Sequence, residues 1–330
     1  MSGRSIQNTF DQFVKAWESG DWNSLSACFS SNISLNSSAL GEAKGKEECL
    51  SIFKGKQLEA DLIRIRIFNN VIRMISETEA VQSVYTVHLY GKEIDGFLHL
   101  FQCAFLNNIH YSFEEGSWKM TALRNNMTFE CGNSLLAQDK WNLIDYSVLN
   151  GNQKEIYKQM TSPFDYPNTG SEEEQIRECF YEYCWDIDTQ RFESLRKVYT
   201  DPFEMKNEKL KEYQSGKAMS VEDSIQIFKA QRGQMLQHGE YVFPKEAVWN
   251  HIAHFEKLGI NGNEAHAVIY RYEPNRIGTR FLHKYNYETI YYSGKWSITF
   301  RKENSVWKIA GFQFDSGITE DKNEEGRRYF

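Results

Sequence analysis

The sequence is poor in the features that mark several common functions. Only five prolines occur in 330 residues, too few for long disordered stretches. Lys and Arg never run beyond a pair, and the formal net charge is −7. Chains that neutralise phosphates carry a basic face, so nucleic acid and anionic membrane surfaces are set aside as partners. The six cysteines, Cys28, Cys49, Cys103, Cys131, Cys179 and Cys184, form no CxxC and stand at no zinc-finger spacing with histidine. No apolar run reaches the roughly 18 residues of a membrane-spanning helix. The opening MSGRSIQNTF holds no signal-peptide core. The expectation is a cytoplasmic protein with reduced, buried thiols. GxSxG, GxGxxG and GxxxxGK[ST] are missing as well, which removes the nucleophile elbow, the dinucleotide fold and the P-loop. Neither a metal nor a cofactor is expected.

Aromatic residues are abundant. They make up 15% of the chain, with 18 Tyr, 22 Phe and 8 Trp; such rings fill cores and line cavities for flat or greasy ligands. The length suits about two domains of roughly 150 residues, and the pattern says they are copies of one another. Ile6, Phe10, Phe13, Val14 and Trp17 share one helical face. A break at Ser19–Trp22 and a short helix through Leu25 and Phe29 follow, then a helix from Gly45. After about residue 60 the period turns to that of strands, at 63–68, 81–90, 96–106, 109–113 and from Trp118. The second half repeats this order. Ile176, Phe180, Tyr183 and Cys184 form a helical face, and Ser220 with Asp223 opens a later helix as a capping box by type. Strands are expected at 246–257, 264–273, 279–292, 295–302 and 306–314. Four short strings recur in the same order: Ser24-Leu25 and Ser194-Leu195, Ile52-Phe53-Lys54 and Ile227-Phe228-Lys229, Phe97-Leu98-His99 and Phe281-Leu282-His283, Trp118-Lys119 and Trp307-Lys308. Their offset grows steadily, as small loop insertions in one copy would make it. Two copies at this spacing are duplicated domains rather than a solenoid. The division read from the sequence is 1–132 for the first copy, 133–170 for a partly helical linker, 171–318 for the second copy and 319–330 for a charged tail. Within the linker, 139–160 reads as helical, with Trp141, Ile144, Val148 and Ile156 for docking. Glu172-Glu173-Glu174 fits a helix N-terminus, where carboxylates favour the dipole.

Helices first and strands afterwards make an α+β class, two tandem cone-shaped domains, each with N-terminal helices packed on a curved antiparallel sheet. This order resembles the nuclear transport factor 2-like superfamily and its polyketide-cyclase-like (SnoaL-like) branch. The likeness rests on the first helix ending Trp17-Glu18-Ser19-Gly20-Asp21, the Leu25 to Phe29 segment, the helix start at Gly45, and the terminal hairpins 112–120 and 300–309, each with an aromatic, a polar turn and a Trp. It spans about 6–131 and 172–316. The resemblance implies a pocket between helices and sheet. The superfamily includes ketosteroid isomerases, dehydratases, polyketide cyclases and epoxide hydrolases, together with transport adaptors, assembly modules and small-molecule binders, so fold alone leaves activity open. Its isomerases use a Tyr on the first helix, an Asp after the second and an Asp on a late strand. Here those places hold Phe13 and Phe180 (beside Tyr181), Asn36–Ser37 and Asn207, and Ile109 and Ser297. The isomerase acid/base set is absent from both copies.

Alternation along 280–292 puts Phe281, His283, Tyr285, Tyr287, Thr289 and Tyr291 on one face; in the first copy Phe97, His99, Phe101, Cys103 and Phe105 share the matching face. A neutral imidazole there can act as general base, with a Tyr hydroxyl at a developing enolate oxygen. The same ring can equally be a core histidine satisfied by hydroxyls or carbonyls. His283 and His99 are therefore the candidate bases, and Tyr285, Tyr287, Trp185, Tyr183, Trp17 and Phe101 the candidate ligand-binding residues. His110 reads as surface. His88 alternates with Thr86 and Tyr90 and faces either pocket or solvent. His251 and His254, as HxxH on a strand, point to opposite faces and make a poor metal pair. Two functions fit: a cofactor-free lyase, isomerase or cyclase acting by proton transfer on a small apolar carbonyl compound, or a non-catalytic binding or assembly module whose two copies form an internal pseudo-dimer. The second copy, with the more polar inward face, is where an active site is expected.

Overall fold

The computed structural model describes residues 3–144, 156–207, 216–237, 250–277 and 288–319. The chain divides into two compact units, Met1–Asn168 and Thr169–Phe330.

In the first unit α1 (Gly3–Ser19) and α2 (Trp22–Ala27) precede β1 (Phe29–Ser37) and β2 (Gly41–Lys44). Next come α3 (Lys46–Lys56) and four long strands, β3 (Leu62–Met74), β4 (Glu79–Ile94), β5 (Phe97–Glu114) and β6 (Ser117–Gly132). The strand order is β2-β1-β6-β5-β4-β3. Antiparallel hairpins build the sheet except where β1 joins β6 in parallel, so it is mixed where the sequence suggested antiparallel throughout. Strand β2, helix α3 and strands β3, β4 and β5 lie between β1 and β6 in the chain, and a long connection of that kind allows a parallel pair.

The apolar stripe of α1 is the one the spacing predicts. Ile6, Phe10, Phe13, Val14 and Trp17 are all buried and belong to a core cluster with Phe53 of α3 and Phe101, Phe105 and Tyr111 of β5. Asp21 caps α2 by accepting from the Ser24 amide at 3.1 Å. Where the sequence suggested a helix running to Phe29, α2 stops at Ala27 and Phe29 opens β1. Two strands expected at 96–106 and 109–113 form one, because the polar pair between them is satisfied in place. Asn107 Nδ2 donates to Val84 O at 3.2 Å and Thr86 Oγ1 at 3.0 Å. Asn108 bonds the backbone of Thr161 twice, at 2.7 and 3.0 Å. Residues 139–144 are turn and irregular rather than helical.

The second unit repeats the plan with α4 (Glu172–Asp188), the single turn α5 (Leu195–Val198), β7 (Tyr199–Asn207), β8 (Lys217–Met219), α6 (Val221–Gln237), β9 (Ile252–Asn261), β10 (Glu264–Ile277), β11 (Glu288–Glu303) and β12 (Val306–Thr319). Its order is β8-β7-β12-β11-β10-β9, with β7 and β12 parallel. Strands expected separately at 279–292 and 295–302 meet in the continuous β11 over its described length. Ser171 and Glu174 close a reciprocal capping box at the start of α4, while Glu173 pairs with Arg177 one turn on and Glu172 with Lys302 of β11. Ser220 Oγ accepts from the Asp223 amide at 3.1 Å. The core packs Phe180, Tyr183, Cys184 and Ile187 of α4 against Ile269, Ile298, Phe300 and Phe312 of the sheet.

Candidate active site

The last turn of α4 places Asp188 inside the second unit, with 0% of its surface exposed. A carboxylate in such a place needs partners, and the chain just before β9 supplies two. Asp188 Oδ2 accepts from the His251 amide at 2.9 Å, and Oδ1 pairs with His251 Nδ1. His251 is itself buried at 7% exposure. Holding backbone and ring of one residue fixes the imidazole in place and leaves Nε2 as the nitrogen that can take a proton.

Tyr183, on the same helix, sets its ring 6.0 Å from that of His251. Arg271 on β10 is 3% exposed and pairs with Ala253 near the start of β9. Its guanidinium lies 4.4 Å from the Trp296 ring centroid and 5.9 Å from that of Tyr183. Burial pushes the Tyr183 hydroxyl up to about 12, with Arg271 opposing the rise. Tyr199, stacked on Phe203 at 4.2 Å, is also pushed up by burial, against a hydrogen bond from Ser224. The arrangement is an oriented imidazole, a buried cation and a neutral phenol in one apolar interior.

The first unit keeps half of this arrangement. The register that matches Ile6, Phe10 and Phe13 to Ile176, Phe180 and Tyr183 matches Glu18 to Asp188; it corrects the expectation from sequence, since Tyr183 rather than Phe180 stands opposite Phe13, and the second copy carries a tyrosine at that first-helix place. Glu18 Oε1 accepts from the Ile65 amide on β3 at 2.5 Å, the same carboxylate-to-backbone contact, but Ile65 stands where the second unit has His251. The histidine inside the first unit is His88, bonded to Tyr90 Oη at 3.2 Å and Thr86 Oγ1 at 3.0 Å. Trp17 and Phe105 each stand 5.0 Å from its ring. Burial lowers its pKa to about 3, so it is a neutral core imidazole. Trp141 completes the filling, with ring centroids 5.4 Å from Tyr90, 6.1 Å from Phe101 and 5.9 Å from Phe105.

Of the residues singled out by sequence, Tyr183 lies beside the Asp188–His251 pair. Trp17 and Phe101 lie together in the first unit's core. Trp185 is 1% exposed and outside the second unit's core cluster. His99 sits half-buried where β5 runs past the core, between exposed Leu98 and Leu100, with Nδ1 2.9 Å from Asn133 Nδ2. His110 is half-buried, and burial lowers its pKa to about 4. His283, Tyr285 and Tyr287 fall outside the described residues. Sequence reasoning missed Asp188, His251 and Arg271, although carrying the repeat register to the helix end marks Asp188 as the counterpart of another acid. Among the described residues no group of three or more His, Cys, Asp or Glu comes together as metal ligands would, and no helix is long and apolar enough to cross a membrane.

No protein-family profile matches the sequence, and no curated protein matches it either. Solved structures do. A hexachlorocyclohexane dehydrochlorinase, LinA type 2, is similar at 14% identity and a TM-score of 0.36, over 39% of this chain and 86% of that one. A LinA-type3 dehydrochlorinase from Novosphingobium barchaimii is similar at 14% and 0.34, over 39% and 88%. A nuclear transport factor 2-like protein with a cystatin-like fold from Novosphingobium aromaticivorans is similar at 15% and 0.34, over 41% and 86%. Strand order and helix placement are repeated in each half, so the chain is a tandem pair of one mixed α+β fold.

Proposed function

We propose that the second unit is a cofactor-free lyase or isomerase site that moves a proton on a small apolar carbonyl compound. The observation that carries this reading is the buried Asp188–His251 pair. In the proposed reaction His251 Nε2 takes the proton from the carbon beside the carbonyl, and Asp188 stabilises the imidazolium that results. The negative charge that develops on the carbonyl oxygen is met by the Arg271 guanidinium and the Tyr183 hydroxyl. The imidazolium then returns its proton to a second carbon in an isomerisation, or to a departing hydroxide in a dehydration. The apolar walls, Trp296, Phe312 and Tyr199, select a hydrophobic substrate. The first unit, with Ile65 in place of the base and its interior occupied by its own rings, serves as scaffold. The six free, buried thiols fit a reducing, cytoplasmic setting.

The test is solvent-deuterium incorporation, followed by NMR, across a panel of apolar ketones and β-hydroxyketones. Wild-type protein is expected to exchange at least one of them. His251→Gln and Asp188→Asn are each expected to lose at least about 100-fold of that rate, with the fold unchanged by circular dichroism. Equal exchange by His251→Gln and wild type removes the assignment.

A further inference from the structure

Residues 133–144 strap the first unit together at points far apart in sequence. The Asn133 amide donates to Leu100 O on β5 at 2.7 Å. Lys140 Nζ reaches Gln57 O, just past α3, at 2.8 Å, and the Asn142 amide reaches Ala39 O, between β1 and β2, at 2.8 Å. Between these anchors Trp141 turns inward, 4% exposed, and its Nε1–H donates to Lys56 O at 2.7 Å. That carbonyl belongs to the last turn of α3, whose acceptors have no partner within the helix.

We propose that Trp141 is a built-in occupant of an aromatic cage, and that the cage takes a free planar aromatic molecule bearing an N–H donor when the indole is withdrawn. The cage is Tyr90, Phe101 and Phe105, which meet the indole at interplanar angles of 89°, 75° and 66°. Edge-to-face contact on three sides selects a flat aromatic over a branched aliphatic group. The Lys56 carbonyl adds one directional acceptor, and a ligand lacking the donor leaves it unpaired in an apolar place. The occupant comes from a turn segment rather than from a helix or strand of the fold, so removing it leaves every wall of the cage on its own element.

The experiment uses the full chain with Trp141→Ala and indole as the probe, read by calorimetry and by thermal unfolding. An apolar, walled cavity binds a matching small aromatic. Saturable binding is expected with Kd on the order of 1 mM or tighter. Indene, the same shape without N–H, is expected to bind at least about fivefold more weakly. Wild type is expected to show no saturable binding of either. A folded variant that binds no indole overturns the proposal, as does equal affinity for indole and indene, or equal binding by wild type. Should Trp141→Ala not fold, refolding yield is measured with and without indole: a rise supports the cage, and no rise overturns it. None of these readouts involves His251, so this inference and the reading of the second unit stand or fall separately.

Discussion

Acidification should act on the first unit through His88. Its ring is buried, and burial lowers the pKa from 6.5 to about 3. Protonation therefore favours the unfolded chain, where the pKa is near 6.5. The stability held by the neutral ring is fully present above pH 6.5 and is lost as pH falls towards 3. Each unit of pKa difference is worth about 1.4 kcal/mol, so the loss between pH 7 and pH 5 is about 2 kcal/mol and the full loss below pH 3 is about 5 kcal/mol. His88→Gln keeps a hydrogen-bonding side chain for Thr86 and Tyr90 but does not titrate. Native-state hydrogen exchange at amides of β4 and β5, corrected for intrinsic rates, gives the free energy in wild type and variant at both pH values. Other titrating groups, His110 among them, are common to the two proteins and cancel in the difference. Wild type should lose about 2 kcal/mol more than the variant on going to pH 5. Equal losses, or a directly measured His88 pKa near 6.5, refute the reasoning.

Two further outcomes follow from the packing. All six cysteines are free and buried, and burial pushes Cys28 and Cys49 up to about 11 and Cys103 and Cys179 well above the usual thiol range. Since the thiolate is the reactive form, a disulfide reagent at pH 8 should label none of them within minutes in native protein and all six in urea; a fast-reacting thiol in the native state contradicts the packing. Gly132, at the end of β6, has φ +84°, and a Cβ there would come within 2.3 Å of Leu100 O. Gly132→Ala should cost about 3 kcal/mol by urea denaturation, and a change within about 0.5 kcal/mol would show that the strand end moves freely.

The sequence carried the helices better than the strands, and for a physical reason. The stripe of α1 repeats at helical spacing because one face of it is buried along its whole length. Strand β1 buries Ile33 and Leu35 but leaves Ser31 and Asn32 exposed, so its polar stretch reads as a loop. The Asn107-Asn108 pair looks like a break until its partners, Thr86 and Thr161, are in place, and those are distant in sequence. The candidate site suffered most from this. Strand alternation assigns faces but not depth: it gave His99 the same face as Phe101 and could not show that β5 runs beyond the core there. His251 precedes its strand rather than lying in it, so an alternation argument had no hold on it. Asp188 sits where a helix end meets a turn, a place in which an acid is usually a solvated cap.

The two units separate what the buried acid does for the fold from what it does in the proposed chemistry. Glu18 and Asp188 each tie the end of a helix to a backbone amide on or beside the first strand of the adjoining meander. Only the second unit adds an imidazole to that acid. The tie is therefore a property of the duplicated fold, while the base is a property of one copy. Asp188→Asn retains an oxygen that can accept from the His251 amide and removes the charge that favours imidazolium. Asp188→Ala removes both. If the acid serves proton transfer, the Asn variant loses turnover while keeping stability, and the Ala variant loses both; if it serves only the helix tie, the Asn variant behaves as wild type. In the first unit, where Ile65 replaces the histidine, Glu18→Gln tests the tie alone. It should cost no more than about 1–3 kcal/mol and leave turnover unaltered.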